Sequence, residues 1–460
     1  MEISKLEIKN FRSIKHLEIE PSNLCALIGA NSTGKSNVLK ALNILLGETW
    51  PTERAFSKDD FYNRNSSSVI SIQVWFSNKL PGVRLTPKGS KEKQFVEITS
   101  FRLEHTKNPE VSFPTTFTAI DEQGREYYGS GEVRDKISFV YLPSERELNK
   151  QFNTSQWTLL GKILTEVDKN FRSCTPKTSE DPDVVQHFID AMAEPRRILE
   201  SDFSSKVTYS KFKEIFTTHA TNLASGLAQN VIPRMEIYDP LYFFKTIELV
   251  GSENEQTFNI EELGSGVQNL ILLALLQTYA DLMKESVILA IEEPETYLYP
   301  QAQRNLYSIF KSLASKTDGK PSTQIFYTTH NPNFVDASRP NDLVLLRKTA
   351  EDGTYKCKSE KGVLDIDEYC KVYTNFNTER NELFFANKVL LVEGASDKIF
   401  WSTFSEEKCG IDLDKLGIYI IECKIKTGVI YFIGVCRLAG IENFFAVWDQ
   451  DNKDSKDIKH

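Results

Sequence analysis

The chain has 460 residues and a mass of 52.5 kDa, with 40% apolar and 26% charged residues, the balance of ordinary soluble protein but too long for one core, so two or three domains are expected. The acidic start MEISKLEIKNF does not read as a signal peptide, and the most apolar run, residues 270–276, is far short of the roughly 20 residues that cross a bilayer, so a cytoplasmic protein with no membrane partner is expected. A net charge of −9 excludes a surface coated in base without excluding local Lys/Arg patches, and seven cysteines with no CxxC pair favour reduced thiols over zinc or disulfides.

Residues 3–8 and 25–28 read as short strands around a charged hairpin, followed by a glycine-rich turn and an apolar-periodic helix over about 36–46. The turn, Gly29-Ala30-Asn31-Ser32-Thr33-Gly34-Lys35-Ser36, fits G-x-x-x-x-G-K-[ST] at every fixed position. Its glycines let backbone N–H groups turn towards phosphates, Lys35 reaches the β- and γ-phosphates, and the Ser36 hydroxyl sits on Mg²⁺. The loop follows an apolar strand and opens a helix, so phosphate would lie at that helix's N-terminus. Gly29, Asn31, Gly34, Lys35, Ser36 and Asn37 form the expected ATP-binding set.

Residues 69–140 alternate apolar and polar positions, as in SVISIQVWF and QFVEITSFRLEH, and read as antiparallel strands. From about 154 to 230 the spacing becomes helical, an insertion between two halves of one ATPase core. Strand character is expected again over 241–249, then a helix over about 266–283. Next comes Val287-Ile288-Leu289-Ala290-Ile291, a continuous apolar run typical of a strand buried on both faces. It delivers Glu292-Glu293-Pro294-Glu295 to the crevice where α/β folds bind ligands. Glu292 would complete the Mg²⁺ shell and Glu293 would polarise the attacking water.

Leu263-Gly264-Ser265-Gly266-Val267-Gln268 precedes the helix, and Thr328-Thr329-His330 follows a strand at 325–327. In this order the motifs resemble those of ABC/SMC ATPases. The resemblance implies a signature at Ser265 and Gly266, a D-loop at 296–300 and a switch histidine at His330, although a lone histidine is more often a core or surface residue. It also implies composite sites in which the signature amides of one subunit cap the triphosphate held by another. A homodimer, or a higher oligomer, through the ATPase heads and the helical insertion follows.

After a polar stretch at 350–381 with a turn signal at Asp352-Gly353, KVLLVEG reads as a buried strand ending in Glu393, with Asp397 near the start of a helix. Residues 444–447 form another apolar strand, ending in Trp448-Asp449-Gln450-Asp451. Convergent carboxylates at strand ends suit Mg²⁺ or Mn²⁺, and paired metals serve phosphodiester cleavage. With LDKLGIYII between them, these segments look like a Toprim domain.

The whole order resembles the OLD (overcoming lysogenization defect) nuclease family. The resemblance implies an α/β fold: an ABC-type P-loop ATPase with an antiparallel lobe and a helical insertion, then Toprim. The expected divisions are 1–153 and 236–365 for the ATPase halves, 154–235 for the insertion and 366–460 for linker and Toprim. The expected activity is ATP-regulated, metal-dependent DNA endonuclease action in bacterial defence against phage, with a helicase-like protein or retron components as partners. Glu393 would be catalytic, with Glu393, Asp397, Asp449 and Asp451 as metal ligands. Lys424 and Lys426 stand where the family often has a glycine pair before a lysine, and are candidate phosphate contacts. Tyr299 stands where a histidine is frequent. The chain ends nine residues after Asp451, where a Toprim fold normally continues, so an incomplete site and weak cleavage are expected. The rival reading is an ATPase sensor or scaffold with a non-cleaving Toprim remnant. An SMC-like repair ATPase is disfavoured, because an insertion of roughly 80 residues lacks room for long heptads.

Overall fold

The computed structural model describes residues 1–108, 111, 113–144, 152–155, 158–173, 183–200, 211–212, 214–215, 217, 240–253, 256–282, 286–315, 323–337, 339–357 and 379–449. Contacts divide the chain into two units, one of residues 1–146 with 283–460 and one of 147–282.

In the first unit, β1 (Ile3–Phe11) and β2 (Ile14–Ile19) form the charged hairpin, and β3 (Leu24–Ile28) is buried along its whole length. The helix Lys35–Leu46 turns Val38, Leu39, Ala41, Leu42, Leu45 and Leu46 inwards, the one-sided stripe of a core-facing helix. Strands β4 (Ile70–Leu85), β5 (Gln94–His105), β6 (Thr115–Ile120) and β7 (Glu126–Tyr128) pair antiparallel, as their alternation predicts. The end of that stretch departs from the expectation: β8 (Ser138–Leu142) joins the parallel part of the sheet.

The second unit contains the helices Leu159–Arg172, Val184–Ala191 and Ala193–Glu200. The first is capped by the Thr158 hydroxyl, which accepts from the Gly161 N–H at 3.1 Å. Most of the remaining insertion lies outside the described residues. The expected strand at 241–249 is corrected. Pro240–Phe244 is helical, and strands begin only at β9 (Val250–Glu253), paired with β10 (Gln256–Asn259). Proline suits the first turn of a helix, where its missing N–H costs nothing, and this outweighs the strand preference of the aromatic run that follows. The helix Ser265–Leu282 matches its expected span within a residue.

Back in the first unit, β11 (Val287–Glu292) and β12 (Thr323–Thr328) run parallel and fully buried, with the helix Pro300–Ala314 between them. A hairpin follows, β13 (Leu343–Thr349) and β14 (Gly353–Lys356), which turns where Asp352-Gly353 predicts. The sheet has 12 strands in the order β7-β6-β5-β4-β1-β2-β14-β13-β3-β12-β11-β8. Its antiparallel half and parallel half share one core, built around Leu6, Phe11, Leu42, Phe101, Ile288 and Phe326.

A second sheet is formed by β15 (Lys388–Val392), β16 (Ile418–Glu422) and β17 (Asn443–Val447), all parallel, with β15 central. The helices Ala395–Glu407 and Lys426–Leu438 connect the strands. Its core includes Leu383, Val389, Leu391, Ile421, Val429, Phe432 and Cys436. Parallel strands bring all their C-terminal ends to one edge, and that geometry sets where chemistry can be done.

Candidate active site

The phosphate loop is shaped by close packing as much as by its own sequence. A Cβ at Gly29, where φ is +140°, would lie 2.2 Å from the Leu346 carbonyl oxygen of β13. One at Gly34, φ +95°, would meet the Thr354 and Ser13 hydroxyls at 2.4 and 2.6 Å. Only glycine fits either position. Lys35 is buried and donates from Nζ to the Gly29 and Ala30 carbonyls, each at 2.9 Å. Burial lowers its pKa to about 8, against the opposing pull of Glu293 and Glu295. Ser36 is half-buried at the helix start and Asn31 is exposed on the loop. Asn37 turns its amide to the Ser13 hydroxyl at 2.9 Å.

A pH dependence follows. On the expectation that Lys35 meets the triphosphate as an ammonium, ATP affinity should hold level below about pH 8 and fall up to about tenfold per pH unit above it. Nucleotide titrations between about pH 7 and 9.5 check this, and level affinity across that range would remove Lys35 from the phosphate contacts.

Ser13 was not singled out by motif reading. It joins Arg12, Asp60, Tyr62, Lys348, Thr349 and Gly353 around a cavity of about 670 Å³. Arg12 there is fixed by Asp60, which accepts from its Nε at 2.7 Å. The available sequence signal was the β1–β2 turn, where Asn10 and Arg12 take positive φ.

At the end of β11, Glu292 is 3% exposed and accepts from the Tyr141 hydroxyl at 2.6 Å. Tyr141 sits on β8, so the parallel placement of that strand supplies the contact. Burial and this bond push the Tyr141 pKa up. Glu293 takes φ +43°, a conformation that costs energy for any residue with a Cβ. Its N–H donates to the Thr328 carbonyl at 3.0 Å. The Glu293 carboxylate comes within 4.0 Å of His330 Nε2. Burial, then the nearby Lys35 charge, lowers the His330 pKa to about 4. At neutral pH the imidazole beside Glu293 is therefore neutral and can donate or accept a hydrogen bond. Glu295, the third acid of the run, turns away from solvent. Its Oε1 accepts from the Thr329 hydroxyl at 2.7 Å and the His330 N–H at 2.9 Å, and burial pushes its pKa up.

In the second unit Ser265 and Gly266 open the helix Ser265–Leu282, with Ser265 exposed. The preceding loop is held by Gln268, whose buried side chain donates to the Ile260, Glu261 and Leu263 carbonyls at 3.1, 3.2 and 2.9 Å. The free N–H groups of such a helix start suit an anion.

At the edge of the second sheet, Val392 pairs with both Glu422 and Val447. Glu393 and Asp449 thus leave the strands on the same side, and the Asp449 N–H lies 3.4 Å from Glu393 Oε2. Exposed Lys424 stands at the end of β16, and Lys426 begins the next helix. Asp397 spends one oxygen on the Gly394 N–H at 2.9 Å, inside its own helix start. Asp451 lies outside the described residues. Two neighbouring hard-oxygen donors suit a divalent ion. Among the described residues a group of three donors within reach of a single ion occurs at Glu7, His16 and Glu18. There Lys9 and Lys5 already pair with the acids at 2.8 and 3.1 Å, which leaves that group little use for a metal.

The two sheets are joined through buried polar side chains that motif reading did not find. Arg347 on β13 donates from Nε to Ala439 O at 2.9 Å and from Nη1 to Ala386 O at 2.8 Å. Asn381 donates to the Pro332 and Val335 carbonyls, just past His330, at 3.1 and 2.8 Å. Its neighbour Arg380 donates to the Glu422 carbonyl at the end of β16 at 3.0 Å. One dipeptide therefore holds both the histidine loop and the carboxylate edge.

Comparison with known proteins finds an ATPase domain followed by a TOPRIM domain. A family model described as AAA ATPase domain matches residues 1–116 and 88–335. A model described as overcoming lysogenization defect protein-like, TOPRIM domain, matches 384–451. The OLD nuclease of Thermus scotoductus is 29% identical, over 98% of this chain and 82% of its own length. The Old nuclease of Escherichia phage P2 is 22% identical over 96% of this chain and 76% of its own. Endonuclease GajA of Bacillus cereus is 21% identical over 88% and 68%.

Proposed function

The chain belongs to the overcoming lysogenization defect family, an AAA ATPase domain continued by a TOPRIM nuclease domain, and from that premise we propose that it is a DNA endonuclease whose divalent-metal-dependent cleavage is governed by ATP, acting in defence against phage. The observation that carries the regulation is the Arg380–Asn381 pair, which ties the loop after His330 to the strand end beside Glu393 and Asp449.

In this reading the loop amides and Lys35 hold the triphosphate, and the cavity at Arg12 and Ser13 takes base and ribose. Ser36 and Glu292 hold Mg²⁺, which neutralises phosphate charge when bound. Glu293 orients the attacking water, and neutral His330 contributes a hydrogen bond beside it. Ser265 and Gly266 cap the triphosphate of a second copy, so ATP favours the closed dimer by its extra contacts there. In the Toprim half Glu393, Asp397, Asp449 and Asp451 hold Mg²⁺ or Mn²⁺, whose chemistry is charge stabilisation and water activation. Lys424 and Lys426 meet DNA phosphates, an attraction that weakens with salt.

Asn381→Ala tests the coupling. Both carbonyls it grips lie at a turn that keeps its own backbone bonds, so ATP turnover and basal metal-dependent nicking should stay within about threefold of wild type. The change in nicking rate on adding ATP should disappear. An ATP response unchanged in this variant removes the pair from the regulatory path.

A further inference from the structure

Glu295 takes no part in the hydrolysis just described, yet its side chain is tied to the loop that carries His330. Its Oε2 is buried without a hydrogen-bond partner among the described residues, so the cost of burying the carboxyl group is offset at Oε1 alone. Oε1 takes two hydrogen bonds, from the Thr329 hydroxyl at 2.7 Å and the His330 N–H at 2.9 Å. Both donors belong to the loop that leaves β12, while Glu295 itself belongs to the turn that leaves β11. That turn is closed by the Thr296 N–H on Glu293 O and the Leu298 N–H on Glu295 O, each at 3.1 Å. The two segments also meet at the Glu293 N–H, which donates to the Thr328 carbonyl at 3.0 Å, and His330 Nε2 and Glu293 Oε1 stand 4.0 Å apart. Thr329 passes the restraint on, because its hydroxyl also accepts from the Asn331 N–H at 2.9 Å.

We propose that Glu295 is a positioning residue for ATP hydrolysis, its carboxylate pinning the His330 peptide so that the imidazole faces Glu293. The proposal rests on the reading that Glu293 and His330 serve hydrolysis. It acts through His330 and touches neither nucleotide nor water. Displacing a reacting group by about 1 Å costs about 100-fold in rate, so Glu295→Ala should lower kcat by that order and leave the KM for ATP within about threefold. Glu295→Gln keeps a carbonyl oxygen able to accept both bonds and should restore kcat to within a few-fold of wild type.

The deciding experiment is a kinetic cycle of Glu295→Ala, His330→Ala and the double variant, with thermal melts as a check on folding. Because one residue works through the other, the double variant should turn over within about threefold of His330→Ala. Losses that multiply, wild-type kcat in Glu295→Ala, or a Gln variant as slow as the Ala variant would each overturn the proposal. If His330→Ala alone keeps wild-type kcat, it is the reading of His330 that fails. Should Glu295→Ala not fold, Thr329→Val removes one of the two donors and is read in the same cycle, with a smaller loss, about tenfold, expected.

Discussion

Glu293→Gln is expected to bind ATP as well as wild type and to hydrolyse it at least about 10³-fold more slowly, within the range that loss of a general base produces. Gln is nearly isosteric and can keep the strained backbone at φ +43°, so the turn and its bond to Thr328 survive while the acceptor for the water's proton is lost. With nucleotide retained and not consumed, closed dimers should accumulate, visible as an ATP-dependent shift in size-exclusion chromatography. Lys35→Ala makes the opposite statement. Its ammonium is folded against the Gly29 and Ala30 carbonyls, and without it the loop loses the charge that offsets the triphosphate, so ATP should no longer bind and no dimer should form. Wild-type ATP affinity in Lys35→Ala, or wild-type turnover in Glu293→Gln, contradicts the assignment of this site.

Glu393→Ala is expected to abolish DNA cleavage, a loss of at least about 10³-fold, without changing ATP turnover by more than a few-fold. Glu393 and Asp449 meet at the edge of the parallel sheet, and removing one leaves a divalent ion too few hard ligands to stay bound. Asp449→Ala should behave alike. Asp397 needs a gentler variant, because its carboxylate also receives the Gly394 N–H at 2.9 Å. Asp397→Asn keeps an oxygen for that bond and holds the helix start in place, yet lowers affinity for the ion. If it cleaves at the wild-type rate, Asp397 only caps its helix.

Motifs that depend on local chain geometry were legible from residue order. The phosphate loop, the all-buried strand before Glu292 and the Asp352-Gly353 turn each needed only a few consecutive residues, and each folds as its pattern demands. Contacts between distant segments were not legible. Nothing near Tyr141 marks it as the partner of Glu292, 151 positions away, because the parallel pairing of β8 with β11 makes the contact. Arg347, Arg380 and Asn381 are silent for the same reason: their partners are backbone carbonyls, which any residue offers. The strand expected at 241–249 failed where a proline-started helix overrode aromatic preference.

ATP bound in the first site is expected to govern metal-dependent cleavage at the second. The most direct test of this is the nicking rate of supercoiled plasmid by the purified protein in Mg²⁺ or Mn²⁺, with and without ATP, and with a chelator. The predicted result is nicking that stops completely with chelator and changes in rate when ATP is added. Nicking that persists in chelator, or that proceeds at one rate whether or not ATP is present, would contradict it.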